Sequence, residues 1–111
     1  MALINTATFI TGFYLLLAIL LEVAGTTSMK LSDGFSRLTP SVLIFIFYSL
    51  SFIFLSLSLK RLELGFAYAV WSGLGTLLVA LIGILFFYEP FTFIKSISLI
   101  LIIIGVVGMH A

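Results

Sequence analysis

The chain contains no cysteine, two prolines, one histidine and few charged residues. The absence of cysteine excludes disulfides, thiolate nucleophiles and cysteine-ligated metals. Only 8% of the 111 residues are charged, whereas a water-soluble domain carries about 25%. The net charge of +1 provides no basic patch for nucleic acid. Because 63% of the residues are hydrophobic, the composition is that of an integral membrane protein.

Motifs for enzymatic chemistry are also missing. There is no GxxxxGK[ST] loop for a nucleotide, no metal-ligand spacing of His, Asp and Glu, and no nucleophile paired with a base. His110 stands alone near the end of the sequence, where we expect a surface residue and not a ligand. The sequence therefore predicts no enzyme, no cofactor and no metal site. Active transport by such a chain has to draw on an ion gradient.

Four long apolar runs make up most of the chain, separated by charged and turn-forming residues. The predicted helices span residues 9–30, 40–59, 65–87 and 91–109, each near the roughly 20 residues needed to cross a bilayer. Each run is continuously apolar and does not alternate, which favours helices over strands. The loops are too short for an extramembrane domain. Residues 1–111 are therefore predicted to form one all-α membrane domain, a four-transmembrane-helix bundle.

Glu22 is the only charged residue in the apolar stretch from Ile10 to Met29. The hydrocarbon core is roughly 30 Å thick and a helix rises about 1.5 Å per residue, so Glu22 lies well inside the bilayer. A carboxylate at that depth is costly and marks a pathway for ions, protons or substrate. A proton and an organic cation can each neutralise it. Their mutually exclusive binding at one carboxylate would give antiport.

Charge distribution and size both bear on assembly. Four helices form a thin bundle that can hardly enclose a polar cavity, so we expect the chain to form oligomers.

One side of the membrane carries Lys60 and Arg61, and the other carries Lys30, Arg37 and Lys95. Because the positive-inside rule acts through an excess of Lys and Arg, such a chain can insert in both orientations. The alternative is a weakly biased protein that its lipid or a partner orients.

Small, polar and aromatic residues are predicted to surround Glu22. Residues three, four and seven positions away share its helix face, among them Ala18, Gly25 and Thr26. On the second and third helices, the residues predicted to line a pocket are Tyr48, Phe52, Tyr68, Trp71 and Ser72. Aromatic rings beside a carboxylate hold hydrophobic organic cations through cation–π contact and charge pairing. The alternative for these residues is ordinary packing or lipid contact.

Three segments in order, LEVAGTTSMKLSDGFSRLTPS, FYSLSF and AYAVWSGLGT, resemble the small multidrug resistance family of bacterial transporters over nearly the whole chain. The resemblance implies an antiparallel, dual-topology homodimer in the bacterial inner membrane that exports lipophilic cations in exchange for protons. It implies that two copies of Glu22 share one site, lined by Tyr48, Tyr68, Trp71 and Ser72. Gly73 and Gly75 would then belong to a hinge, where paired glycines permit a kink or close packing.

Details of the motifs favour one branch of that family. The segments Glu22–Thr27 and Trp71–Gly73 resemble the multidrug, quaternary ammonium branch more than those that export guanidinium or polyamines. The fourth helix is implied to supply the dimer contact, where Ser98 and Gly105 stand at positions that are often both glycine in the family. Two hypotheses stay open: a self-sufficient exporter, or a subunit that requires a paralogous partner.

Overall fold

The computed structural model describes residues 6–110, which form four helices and, within that range, no strand. The helices are α1 (Thr6–Leu31), α2 (Leu38–Ser58), α3 (Leu64–Phe86) and α4 (Phe93–Met109). Each predicted boundary lies within three residues of the observed one. The all-α prediction is therefore confirmed, while residues 1–5 and 111 of the predicted 1–111 domain lie outside the described residues.

Helix length agrees with a membrane location. Helices α1, α2 and α3 are 26, 21 and 23 residues long and apolar enough to span a bilayer. Helix α4 has 17 residues, which corresponds to a rise of about 25 Å. That length stands at the lower end of the range for a spanning helix, roughly 17–25 residues. Together the four helices form a multi-pass membrane bundle.

Capping explains where α4 begins. The hydroxyl of Thr92 accepts a hydrogen bond from the backbone N–H of Lys95 at 3.1 Å, the usual role of an N-cap threonine. The helix therefore begins at Phe93 and not at residue 91. At the preceding turn, the backbone N–H groups of Phe87 and Glu89 both donate to the carbonyl of Gly83 at 3.1 Å, which ends α3.

Helix α1 is central to the bundle and packs along both α2 and α3. Leu15, Ile19 and Val23 form the buried core of the described chain. Small residues lie where helices cross: Ala18 and Ala67 are fully buried, which allows the backbones to approach closely, as is typical in membranes. The core thus lies among α1, α2 and α3, on the same helices that carry the predicted site.

Helix α4 contacts only α3 among the described helices, and none of its residues is buried. It lies close to α3 at Gly73, where an added Cβ would overlap the Val106 side chain. The absence of a side chain at Gly73 therefore allows α4 to dock. The rest of α4 presents isoleucine, leucine and valine side chains outward.

Candidate functional site

Glu22 is half-buried on α1 and is held by a chain of hydroxyl groups. The hydroxyl of Thr26, one turn later on the same helix, donates to Glu22 Oε1 at 2.8 Å. The Tyr48 hydroxyl on α2 lies 2.5 Å from Thr26 Oγ1. A threonine hydroxyl has one proton, and it is directed to Glu22, so the Tyr48 hydroxyl donates to Thr26. One carboxylate oxygen is thereby fixed by two helices.

The second carboxylate oxygen, Oε2, is buried and has no hydrogen-bond partner among the described residues. Opposite it lies Gly75 of α3, where an added Cβ would stand 2.8 Å from Oε2. A buried acceptor without a partner is costly, and more so when it carries charge. Oε2 is therefore the carboxylate oxygen whose hydrogen-bonding capacity is unmet.

A cavity of about 400 Å³ opens beside Glu22, between α1 and α3. Its volume is within the range of roughly 300–1,000 Å³ that is typical of small-molecule sites. The lining residues are Glu22, Thr26, Trp71, Ser72, Gly75, Thr76, Val79 and Ala80. One acidic group thus faces a mostly apolar space of suitable size for an organic molecule.

Two further hydroxyl groups in this cavity present oxygen atoms. Ser72 Oγ donates to the carbonyl of Tyr68 at 2.8 Å, and Thr76 Oγ1 donates to the carbonyl of Ser72 at 2.7 Å. Because their protons are directed to the helix backbone, both side chains offer lone pairs as acceptors. Acceptors beside a carboxylate suit a positively charged ligand.

An aromatic row runs across α2 and α3 next to the cavity. The ring centroids of Tyr48 and Phe52 are 6.0 Å apart, and those of Phe52 and Trp71 are 6.1 Å apart. Tyr68 continues the row, with its centroid 5.5 Å from that of Trp71. Ring faces attract cations within about 6 Å. The four rings predicted from the sequence therefore form one row, of which Trp71 lines the Glu22 cavity.

Ser51 fixes the position of Trp71 and was not predicted as a site residue. The indole Nε1–H of Trp71 donates to Ser51 Oγ at 3.3 Å, and Ser51 Oγ donates to the carbonyl of Ala18 at 2.6 Å. Ser51 is fully buried. Its only signal in the sequence is a polar side chain within an apolar helix, three residues after Tyr48, and several other serines of α2 share that signal.

Several predicted residues occupy other surroundings. Ala18 lies beneath the site and supplies only its backbone carbonyl. Gly25 faces Phe47 and Tyr48, where an added Cβ would stand 3.4 Å from Cβ of Phe47 and from the ring of Tyr48, so it serves helix packing. Tyr48 and Phe52 line a neighbouring cavity, separate from that of Glu22. Thr76, Val79 and Ala80 line the Glu22 cavity without having been predicted.

The predicted hinge and dimer residues have clear locations. Helix α3 is continuous through Gly73 and Gly75, which face α4 and Glu22 respectively. On α4, Ser98 is exposed and lines a small cavity with Thr76 and other residues of α3. Gly105 is exposed, and a Cβ added there would meet no atom within 4 Å. These α4 positions therefore belong to an open surface.

Comparison with known proteins gives consistent matches. The family model described as Small Multidrug Resistance protein matches residues 9–102. Uncharacterized membrane protein YvaE of Bacillus subtilis is 54% identical over 97 residues, covering 87% of this chain and 82% of that protein. Multidrug resistance protein EbrA of Bacillus licheniformis is 46% identical over 99 residues, covering 88% and 94%. Quaternary ammonium compound-resistance protein QacH of Staphylococcus saprophyticus is 46% identical over 97 residues, covering 87% and 91%. The matched range includes Glu22 and every residue that lines its cavity.

Proposed function

This chain belongs to the small multidrug resistance family, and we propose that it is a proton-coupled antiporter that exports lipophilic, quaternary ammonium-type cations. Proteins of this family are efflux transporters and not enzymes. The chain is accordingly a multi-pass protein of the bacterial membrane. Beyond membership of the family, the proposal specifies the substrate class, the proton as the coupling ion, and Glu22 as the residue at which proton and substrate compete.

The observation that carries this proposal is the buried, unpartnered Oε2 of Glu22. Thr26 already donates to Oε1, so Oε2 is the carboxylate oxygen that still lacks a partner. In a low-dielectric site a lone carboxylate is stabilised by whichever positive species neutralises it. A proton binds Oε2 directly, and an organic cation pairs with the Glu22 carboxylate from the cavity. The two exclude each other because each neutralises the same carboxylate.

The substrate class follows from the lining of the cavity. Only Glu22 is ionisable among the lining residues, and the rest are hydroxyl, aromatic or apolar. A quaternary ammonium ion carries charge without a proton to donate, so it needs charge pairing, ring faces and apolar contact, and no specific hydrogen-bond acceptor geometry. Trp71, with Phe52 and Tyr68 beside it, offers those ring faces. The similarity to QacH, a quaternary ammonium compound-resistance protein, supports the same class.

We further propose that two copies assemble antiparallel. The Glu22 cavity has walls from α1 and α3, while α4 approaches neither α1 nor α2 in the described chain. A second copy would complete the enclosure that a buried carboxylate requires. The open α4 surface with Ser98 and Gly105 offers small side chains for a close helix contact. Bending at Gly73 and Gly75 would then move α4 relative to Glu22, since these glycines face Val106 and Glu22.

The test is cation transport in proteoliposomes under an imposed pH gradient. Wild-type protein is expected to drive uptake of a quaternary ammonium probe against its concentration gradient, and Glu22→Gln is expected to abolish that uptake. The glutamine has nearly the same shape but no charge, and the variant should still insert and purify. Glu63→Gln, in the loop between α2 and α3, is the matched control and should transport normally. Gradient-driven uptake by Glu22→Gln would overturn the proposal, and uptake only after addition of a paralogous chain would favour the paired-subunit alternative.

A further inference from the structure

Met29, near the end of α1, has a sulfur atom that is both accessible and in contact with a hydroxyl group. The Tyr48 hydroxyl lies 3.8 Å from Met29 Sδ, toward which it can donate. The Met29 side chain is 42% exposed, and the next residue is Lys30, whose ammonium group extends to water at a membrane surface. Small water-borne reagents therefore reach this sulfur.

Two acceptors compete for the single proton of the Tyr48 hydroxyl. Thr26 Oγ1 lies 2.5 Å from the Tyr48 oxygen, and Met29 Sδ lies 3.8 Å from it. A thioether sulfur is a weak acceptor, so the proton goes to Thr26 in the reduced protein. The balance between these two partners depends on the sulfur remaining a thioether.

Oxidation of the thioether would reverse that balance. When a peroxide attacks Met29, an S–O bond forms as the O–O bond breaks, the sulfur loses two electrons, and the peroxide leaves as water with both of its protons. The product, methionine sulfoxide, is polar, and its oxygen is a much stronger acceptor than the sulfur was. The unbranched methionine side chain is flexible, which lets the new oxygen face Tyr48.

The hydroxyl chain to Glu22 would then lose its support from α2. Thr26 donates to Glu22 Oε1 at 2.8 Å while it accepts from Tyr48. The adjacent Thr27 shows the alternative, because its hydroxyl donates to the backbone carbonyl of Val23, one turn earlier, at 2.8 Å. Threonine side chains on helices often form this backbone bond. Without Tyr48, the Thr26 hydroxyl is less firmly directed to the carboxylate.

We propose that Met29 is an oxidation-sensitive modification site, at which a peroxide forms the sulfoxide and so draws Tyr48 away from Thr26. The oxidation itself depends only on the exposed sulfur. Its consequence, weaker cation binding at Glu22, rests on the proposed function. Because methionine sulfoxide reductases restore the thioether, the modification is reversible.

The test adds hydrogen peroxide to the purified protein in detergent micelles. Mass spectrometry of peptides should find one added oxygen atom at Met29 and also at Met109, which is 48% exposed. Isothermal titration of tetraphenylphosphonium should then give an affinity about 2-fold to 12-fold lower than before oxidation, the range expected from one hydrogen bond. Treatment with methionine sulfoxide reductases should restore the affinity.

Matched variants, each compared with itself before and after oxidation, assign the effect to one sulfur. Met29→Leu should retain its affinity in peroxide, whereas Met109→Leu should lose affinity as the wild type does. Tyr48→Phe has no hydroxyl proton to redirect, so peroxide should leave its affinity unchanged. Met29→Gln places an amide oxygen, a strong acceptor, near the position of the sulfoxide, and it should bind more weakly than Met29→Leu without any oxidant.

Four results would overturn the proposal. They are an unmodified Met29 at a dose that oxidises Met109, an unchanged affinity after oxidation of Met29, an equal loss in Met29→Leu, and an equal loss in Tyr48→Phe. The proposed function fails on a different measurement that involves no oxidant, gradient-driven transport by Glu22→Gln.

Discussion

Gly75 of α3 lies directly against the carboxylate of Glu22 on α1, so that a methyl group at Gly75 would stand 2.8 Å from Oε2. That oxygen is buried and has no hydrogen-bond partner among the described residues. The absence of a side chain at Gly75 therefore lets α3 approach α1 and lets the Glu22 carboxylate lie where a side chain would otherwise stand. In the proposed function, this contact between two helices sets the surroundings of the carboxylate oxygen that binds the proton.

Gly75→Ala should therefore impair cation binding and transport while the protein remains folded. The new methyl group would overlap the position of Oε2, so Glu22 must move to relieve the contact. A displaced carboxylate would also lose the Thr26 hydrogen bond, for which about 1.5–3 kcal/mol is typical of a charged acceptor. We expect a loss of affinity of at least tenfold, since roughly 1.4 kcal/mol is tenfold.

Isothermal titration of a quaternary ammonium probe into purified protein measures this effect. Gly12→Ala is the matched control, because Gly12 is also a helical glycine but a Cβ there meets no atom within 4 Å. Equal affinity in the two alanine variants would contradict the role assigned to Gly75.

Trp71→Ala should weaken binding of quaternary cations much more than it weakens proton binding. An aromatic face contributes about 0.5–2 kcal/mol to a bound cation, which is up to about 30-fold in affinity. A proton bonds to the carboxyl oxygen and gains nothing from the ring. Cation affinity should be measured on protein whose oligomeric state has been verified, with proton release on cation addition as the second readout. An affinity like that of the wild type would remove Trp71 from the site.

Ser51→Ala should loosen the indole of Trp71 without removing its ring. The substitution deletes the acceptor of the Nε1–H bond, and such a bond contributes about 0.5–1.5 kcal/mol. Affinity should therefore fall less than in Trp71→Ala, by about 2-fold to 12-fold. Because Trp71 is the sole tryptophan, its fluorescence anisotropy and emission maximum report the change directly.

Ser56→Ala provides the comparison for that variant. Ser56 lies on the exposed face of α2, so its loss should leave the tryptophan signal unchanged. An unaltered signal in Ser51→Ala as well would show that the hydrogen bond does not hold the ring.

Two lysines added after Ala111 should bias the orientation of the chain, because Lys and Arg retain a segment on the cytoplasmic side. One end of the bundle carries Lys60 and Arg61, and the other carries Lys30, Arg37 and Lys95. Because these charges are nearly balanced, two added lysines are enough to determine the orientation. If two copies assemble antiparallel, the biased variant should lose transport alone and regain it beside an oppositely biased one. Two added glutamines are the control. Full activity of the lysine variant by itself would contradict the antiparallel assembly.

Much of the fold could be predicted from the sequence because bilayer thickness and the lack of water act on each helix separately. The four apolar runs and the depth of Glu22 follow from these constraints. The small errors at the boundaries have local causes, such as the Thr92 cap that delays α4. These interactions depend on the conformation of only a few residues around each turn.

The site could be predicted only in part, because residues on one helix face need not touch the same neighbour. Ala18 and Gly25 share the face of Glu22, yet one serves as a backbone acceptor beneath Trp71 and the other packs on Tyr48. Ser51 could not be distinguished from the other serines of α2, since its importance comes from the position of Trp71 on a different helix.

By itself, the sequence determined that this chain forms four apolar helices in a membrane, with one carboxylate deep in the hydrocarbon and aromatic residues at helical spacing around it. Only the tertiary structure decided that Gly75 faces Glu22 while Gly73 faces α4, and that Thr26 and Tyr48 hold one oxygen while the other has no partner. The physical reason lies in helix rotation. Residues at positions i and i+2 of a helix are separated by about 200° around its axis, so the sequence shows which residues share a face. The neighbour that each face contacts depends on how whole helices pack.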